Sequence, residues 1–242
     1  MTEFIDGADR RLLLLCDHAS NRVPDDIDLA IDPALLDLHI AVDLGAAALT
    51  RALAAQSGAP AFLGTVSRLV IDLHRQPDHP ALIPLVSDGH DIPGNRDVDR
   101  SARIARFHAP YHRAIARHIA AHRPALIVSI HSFTRRLAHG DTARRVWDAG
   151  ILYNRDARAA APAIASLRAQ GIETGDNQPY SGRLLNATLN RHGEAHGIPY
   201  VAIEVCNDQL ADPAGVTRWR EIVGKMIDDV RNRLAREAPP AT

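Results

Sequence analysis

Histidine, carboxylate and arginine recur in this sequence directly after apolar runs, where they can do hydrolytic chemistry. "LLLLC" leads into Asp17, His18, Asn21 and Arg22, and "RLVIDL" into His74 and Arg75 with Asp72 just before them. "ALIVSI" leads into His131, Ser132, Phe133 and Thr134, while "YVAIEV" carries Glu204 and runs on to Asn207 and Asp208. Histidines from separate strand ends suit Zn²⁺, which takes neutral imidazole nitrogen and carboxylate oxygen. A zinc ion with one open position lowers the pKa of water to roughly 7. A carboxylate nearby then accepts the proton and passes it to the leaving nitrogen. Glu204 is placed for that work, because it sits inside an otherwise apolar strand, where an unpartnered carboxylate costs several kcal/mol. A lone histidine at a strand end is more often capped or solvated, and Glu204 alone is explained as well by a buried pair with an arginine. Agreement among four runs is what favours chemistry.

These residues need a scaffold that brings the four runs together. Residues 11–16, 68–73, 125–130 and 200–205 read as core strands, with weaker candidates at 61–64 and 149–154. Continuous apolar runs, rather than alternation, suggest strands covered on both faces. Between them, residues 33–56, 101–122, 155–170, 184–197 and 213–236 read as helices. The first has Asp32 as N-cap and Pro33 in its first turn. Strand–helix alternation predicts a single-domain three-layer α/β/α sandwich with a mixed, largely parallel sheet. Ligands of such sheets bind beyond the carboxyl ends of the strands. His108, His112, His118 and His122 pair at helical spacing. No strand cluster accompanies them, so they are expected on the surface.

Composition narrows the class. The chain has 242 residues, 46% hydrophobic, with a formal charge of -1, enough for one sizeable core. The pI near 6.9 gives no electrostatic case for nucleic-acid binding. Arginine supplies nearly all the cations; Lys225 is the single lysine. Cys16 and Cys206 are too few for a disulfide framework or a cysteine-rich zinc site. The run "LLLLC" is far short of the ~20 apolar residues of a membrane span. The expectation is a cytoplasmic protein with a small-molecule substrate and no nucleic-acid or membrane partner. Residues 1–10 and 237–242 are expected to fray.

The segments "CDHASNRVP", "SRLVIDLHRQPDHPALIPLVSDGHDIPGNR", "GDNQPYSGR" and "YVAIEVCND" together resemble the N-formylglutamate amidohydrolase family. That family is similar in fold to the zinc carboxypeptidases. The resemblance implies that His131 is a zinc ligand, that His74 and Arg75 stand where an Asn-Arg pair binds substrate, that Tyr180 lies on a mobile loop and that Glu204 is the catalytic carboxylate. The chain departs from the His-x-x-Glu zinc pattern: His18 is followed three residues later by Asn21. The third ligand is therefore expected elsewhere. Asp43, read as an acid within an apolar helix, is preferred, with Asn21 and Asp17 as alternatives. Strand alternation should turn Asp17 away from His18.

Residues 87–97 and 175–183 read as loops that form the walls of a site. Asn95 and Arg96 from the first and Arg183 from the second are candidates for binding substrate carboxylates, and Ser132 is a further candidate contact beside His131. The expected activity is metal-dependent hydrolysis of a small N-acyl amino acid, which the resemblance narrows to N-formylglutamate, giving formate and glutamate. Two alternatives remain: a hydrolase for another N-acyl amino acid or small peptide on the same scaffold, and a non-catalytic small-molecule binding protein.

Overall fold

A computed structural model describes residues 2–237. In chain order the strands are β1 (Thr2–Ile5), β2 (Leu12–Cys16), β3 (Ala61–Gly64), β4 (Val86–Ser87), β5 (His90–Asp91), β6 (Leu126–Phe133), β7 (Ala149–Leu152), β8 (Thr174–Asp176) and β9 (Tyr200–Cys206). The α-helices are α1 (Ala46–Ser57), α2 (Arg100–Arg103), α3 (Ala109–His122), α4 (Ala160–Ala169), α5 (Ala187–His192) and α6 (Pro213–Glu237). Seven strands form one sheet in the order β1-β3-β2-β6-β9-β7-β8, and β4 and β5 form a separate small hairpin. The adjacent strands β2, β6 and β9 run parallel, β7 runs antiparallel to β9, and β1 runs antiparallel to β3. The sheet is thus mixed and largely parallel, as the sequence predicts.

The central strands are buried on both faces: every residue of β2, β6 and β9 is buried. Alternate side chains feed two cores. One packs Leu12, Leu14, Val128, Ile130 and Val205 against α1, α4 and α6. The other packs Leu13, Leu15, Ile127 and Ala202 against Tyr111, Ile115 and Ile119 of α3 and the buried segment 69–73. These are the three layers. None of the described helices is long and apolar enough to cross a membrane.

Four expectations change. First, residues 68–73 are a run of turns, although Leu69–Leu73 is buried. A short apolar run does not separate a buried strand from buried irregular backbone. Here the segment satisfies its peptide groups without a ladder. Val70 N–H donates to the Ser67 carbonyl, Asp72 N–H donates to the Leu82 carbonyl, and side chains cap the carbonyls of Leu69, Val70 and Leu73.

Second, the helix expected over 33–56 is interrupted. Asp32 caps a short 3₁₀ turn, Pro33–Asp37, by accepting from Ala34 N–H at 2.9 Å, but the chain turns extended at Leu38 and α1 starts only at Ala46. Tertiary hydrogen bonds hold the intervening turn: Asp43 N–H donates to His18 O at 3.1 Å and Ser67 Oγ to Ala41 O at 2.9 Å. Asp43 therefore belongs to a turn and not to a helix. Gly45, in the left-handed region at φ 79°, lets this turn pass against Leu210, where a Cβ would collide.

Third, the N-terminal residues expected to fray form β1, the edge strand on β3. Backbone pairing and the packing of Phe4 on Phe62 tie them down. Of the other terminus, Glu237 ends α6, and residues 238–242 lie outside the described residues. Fourth, His108, His112 and His118 are buried, not on the surface.

Candidate active site

Strands β2, β6 and β9 end at one edge of the sheet, and a cavity of about 150 Å³ opens there. His18, Asp43, His74, Arg75, His131, Ser132, Tyr180 and Glu204 all line it. The fold thus brings together eight of the eleven residues picked out from the sequence.

Three buried groups converge at its base. Asp43 Oδ2 lies 3.2 Å from His18 Nδ1 and 2.8 Å from His131 Nδ1. The opposite ring nitrogens also face acids. His18 Nε2 is 2.7 Å from Asp72 Oδ1, while His131 Nε2 is 3.4 Å from Asp17 Oδ2 and 3.0 Å from Ser129 Oγ. An imidazole with carboxylates at both nitrogens is either protonated or a metal ligand. Burial opposes the charge, but Asp72 and Asp43 lift the His18 pKa above its ordinary value, and Asp17 and Asp43 lift that of His131 well above it. Burial likewise opposes ionisation of Asp43, and His18, His131 and Arg68 overcome it, holding its pKa low. A divalent cation can take the place of those protons, so the donor set of two imidazole nitrogens and one carboxylate oxygen fits Zn²⁺. Each outer nitrogen would then donate to a supporting carboxylate, the arrangement that orients metal-binding histidines.

Asp17, Asn21 and Asp43 are separated by their surroundings. Asn21 is absent from the cavity and donates to Asp37 instead. Asp17, His74 and His131 also lie close enough to hold a metal. Yet Asp17 already accepts from Thr188 Oγ1 at 3.0 Å and from His74 Nδ1 at 2.9 Å, which makes it a supporting carboxylate. Asp17 and His18 follow the end of β2 in a turn, so strand alternation does not govern them, and Asp17 reaches the far nitrogen of His131.

Glu204 is the register partner of His131. Its Oε2 is buried and has no hydrogen-bond partner. Burial pushes its pKa up to about 7, against the attraction of His131. Arg68, absent from the residues picked out from the sequence, ties the cluster together: Nη1 donates to Asp43 at 3.1 Å and Nη2 to Asp72 at 2.9 Å. Its signal was present as a cation four positions before Asp72, but in an arginine-rich chain one arginine does not stand out. Tyr180 is held by Arg145, which donates to its Oη at 3.1 Å and lies over its ring. Ser132 Oγ donates to the Leu44 carbonyl at 2.8 Å, so at the rim it braces the turn that carries Asp43.

Three candidates lie elsewhere. Asn95 is buried outside the cavity, donating to Leu69 O and Pro84 O and accepting from Arg103. Arg103 in turn caps Val70 O, His112 caps Leu73 O and His108 caps Arg75 O. These side chains replace the hydrogen bonds that a strand over 68–73 would have made, and they hold His74 and Arg75 at the cavity. Asn95 is therefore a scaffold residue. Arg96 and Arg183 are exposed and do not line the cavity; the loops that carry them direct them to solvent.

The fold and site define an α/β protein with a buried histidine–carboxylate centre at a sheet edge. The chain belongs to the N-formylglutamate amidohydrolase family, whose sequence pattern matches residues 10–211. Among solved structures it resembles gene product Atu2144 from Agrobacterium tumefaciens, with 29% identity over 96% of this chain and 95% of that one and a TM-score of 0.88. It shares its fold with the N-formylglutamate amidohydrolase from Ralstonia eutropha JMP134, with 18% identity over 98% and 99% of the two chains and a TM-score of 0.69. A comparison with curated proteins gives no match.

Proposed function

We propose that this chain is a metal-dependent amidohydrolase that cleaves a small N-acyl amino acid, with N-formylglutamate, split to formate and glutamate, as the favoured substrate. The observation that carries the reading is the convergence of His18 Nδ1, Asp43 Oδ2 and His131 Nδ1 beside an unpartnered oxygen of Glu204. His18, Asp43 and His131 hold the cation, taken as Zn²⁺ from the chemistry of the donor set. When bound there, the cation polarises an acyl oxygen and makes water a stronger acid.

Glu204 takes the proton of the attacking water and delivers it to the nitrogen as the C–N bond breaks, so the amine leaves neutral. Burial raises the Glu204 pKa from the ordinary carboxylate value, which favours delivery of the proton it takes up. Arg68 is saturated by Asp43 and Asp72, so it contributes charge rather than a free fork. Arg75 has a buried Nε with no hydrogen-bond partner and stands 3.7 Å from Asp72. It is the group available to take a substrate carboxylate. Tyr180 contributes to the outer wall and offers its hydroxyl to the bound substrate. The cavity volume supports a small substrate, and family membership supports the formyl group. A cytoplasmic location is part of the same reading, in keeping with two unpaired, buried cysteines.

The test is metal analysis of the purified protein followed by release of formate from N-formylglutamate, with N-acetyl and N-succinyl amino acids alongside. Turnover that needs bound metal and favours the formyl compound is expected. Preference for another acyl group would move the substrate. No bound metal, together with no turnover after Zn²⁺, Co²⁺ or Mn²⁺ is added, would leave a binding protein.

A further inference from the structure

We propose that His74, oriented by Asp17, accepts a hydrogen bond from the substrate's amide N–H and so selects amides that carry one; the inference rests on the amidohydrolase reading above. The geometry fixes which nitrogen of His74 bears hydrogen. Nδ1 lies 2.9 Å from Asp17 Oδ2, and an ionised carboxylate only accepts, so the hydrogen is on Nδ1. Thr188 reinforces the assignment, because its hydroxyl donates to Asp17 Oδ1 at 3.0 Å, which fixes the orientation of the acid. In the neutral ring the other nitrogen, Nε2, is then a bare acceptor. His74 lines the cavity with its ring centroid 4.8 Å from that of His131, beside the proposed cation site.

The surroundings give that lone pair a task. Arg68 and Arg75 border the same cavity together with the acids Asp43 and Glu204, and Asp43 is already engaged by His18, His131 and Arg68. The bare nitrogen needs a donor from water or ligand. In an N-acyl amino acid at neutral pH, the acyl oxygen and the carboxylates are acceptors. The amide N–H is the one donor the molecule has near the bond to be cut. Arg75 for a carboxylate and an imidazole acceptor for the N–H make a complementary set. A site built to pair such a group rejects analogues that lack it. An ester would be penalised twice, since its bridging oxygen is itself an acceptor facing a lone pair.

The experiment compares N-formylglutamate with its O-formyl ester counterpart, built on 2-hydroxyglutarate, in the wild type and two variants. His74→Asn keeps a donor for Asp17 at the Nδ1 position and places nothing at Nε2. His74→Gln places an amide group at the Nε2 position. We expect His74→Asn to lose about tenfold to a hundredfold in kcat/KM on the amide, to lose nothing on the ester, where a repulsive lone pair is removed, and His74→Gln to recover much of the loss on the amide. In the Glu204→Gln protein, imidazole ¹⁵N resonances should show a bare Nε2 on His74 that shifts when N-formylglutamate binds and not when the ester binds. Equal losses on amide and ester, or a protonated Nε2 in the free protein, overturn this inference while leaving the amidohydrolase reading intact. A wild type that hydrolyses no N-acyl amino acid overturns both.

Discussion

His131 on β6 and Glu204 on β9 are register partners on adjacent parallel strands. Residues paired across a sheet leave it on the same face, so a single register sets a candidate metal ligand beside a candidate proton carrier. Neither depends on a loop for its position; both sit on fully buried strands at the centre of the sheet. Positioning of this kind gives catalytic groups the precision that loops do not.

Glu204→Gln removes the proposed proton carrier while preserving shape. The variant should bind metal as the wild type does and lose about a hundredfold to ten-thousandfold in kcat. Metal content by mass spectrometry and formate release measure the two effects separately. Undiminished turnover would remove Glu204 from the mechanism.

The pH profile should report the same group. Burial raises Glu204 to about 7 from an ordinary 4.5, so its base form is populated above that value and lost as the pH falls through it. A bound divalent cation stabilises the carboxylate and moves the midpoint down toward 4.5. The acid limb of kcat/KM should therefore fall between about 4.5 and 7, and Glu204→Gln should abolish it. A flat profile across that window would assign the proton transfer to another group.

Chelation should affect stability as well as activity. His18 and His131 bind a metal only as neutral imidazoles, so its apparent affinity should fall as the pH is lowered. Binding stabilises by about 4 kcal/mol at a thousandfold excess over Kd. Removal of metal should lower Tm by several degrees, and Zn²⁺ should restore it. In Asp43→Ala that Zn²⁺-dependent shift should disappear; an unchanged shift would place the ion elsewhere.

The sheet and most of the site were legible because each depends on local signals. Fully buried runs marked β2, β6 and β9, and polar residues at their ends marked His18, His131 and Glu204. Asp43 was legible as an acid in an apolar context even though its element was misread. The helix pattern over 33–56 ignored the tertiary bonds from Asp43 to His18 and from Ser67 to Ala41 that break it. Segment 68–73 has the composition of a strand, but its carbonyls are capped by Asn95, Arg103 and His112, which come from later in the chain. Residues recruited in this way look functional or superficial when read alone. For that reason Asn95 reads as a substrate contact and His112 as a surface residue when only the sequence is considered.

Arg68 offers a test of the electrostatic frame. It bridges Asp43 and Asp72 with two short contacts, and its side chain is only 26% exposed. Arg68→Ala leaves two buried carboxylates short of a cation and should cost about 3 kcal/mol. Arg68→Lys retains the charge but lacks the fork that spans two acids, so it should recover part of the stability at best. Denaturant melts of the metal-free proteins measure the loss directly. A cost below about 0.5 kcal/mol, the range of ordinary surface changes, would mean that the bridge is no more than a surface pair.

Gly150 tests the wall that carries Tyr180. It sits on β7 opposite Glu204 in the antiparallel register, and a Cβ there would collide with the Gln178 carbonyl. Gln178 also packs closely over Gly175, so two glycines allow this loop to lie on the sheet. The backbone cannot yield as a flexible side chain would, so Gly150→Ala must displace the loop and with it Tyr180, two residues further on. Overpacking of this kind costs about 1–3 kcal/mol. Under the proposed mechanism Tyr180 bears on the bound substrate and not on the metal ligands, so the variant should keep its metal and lose substrate affinity, with KM rising more than kcat falls. Steady-state kinetics beside metal analysis distinguishes the cases. Wild-type KM would show that the loop's position is immaterial, and lost metal would show that the disturbance had travelled along β7 and β9 into the ligand cluster itself.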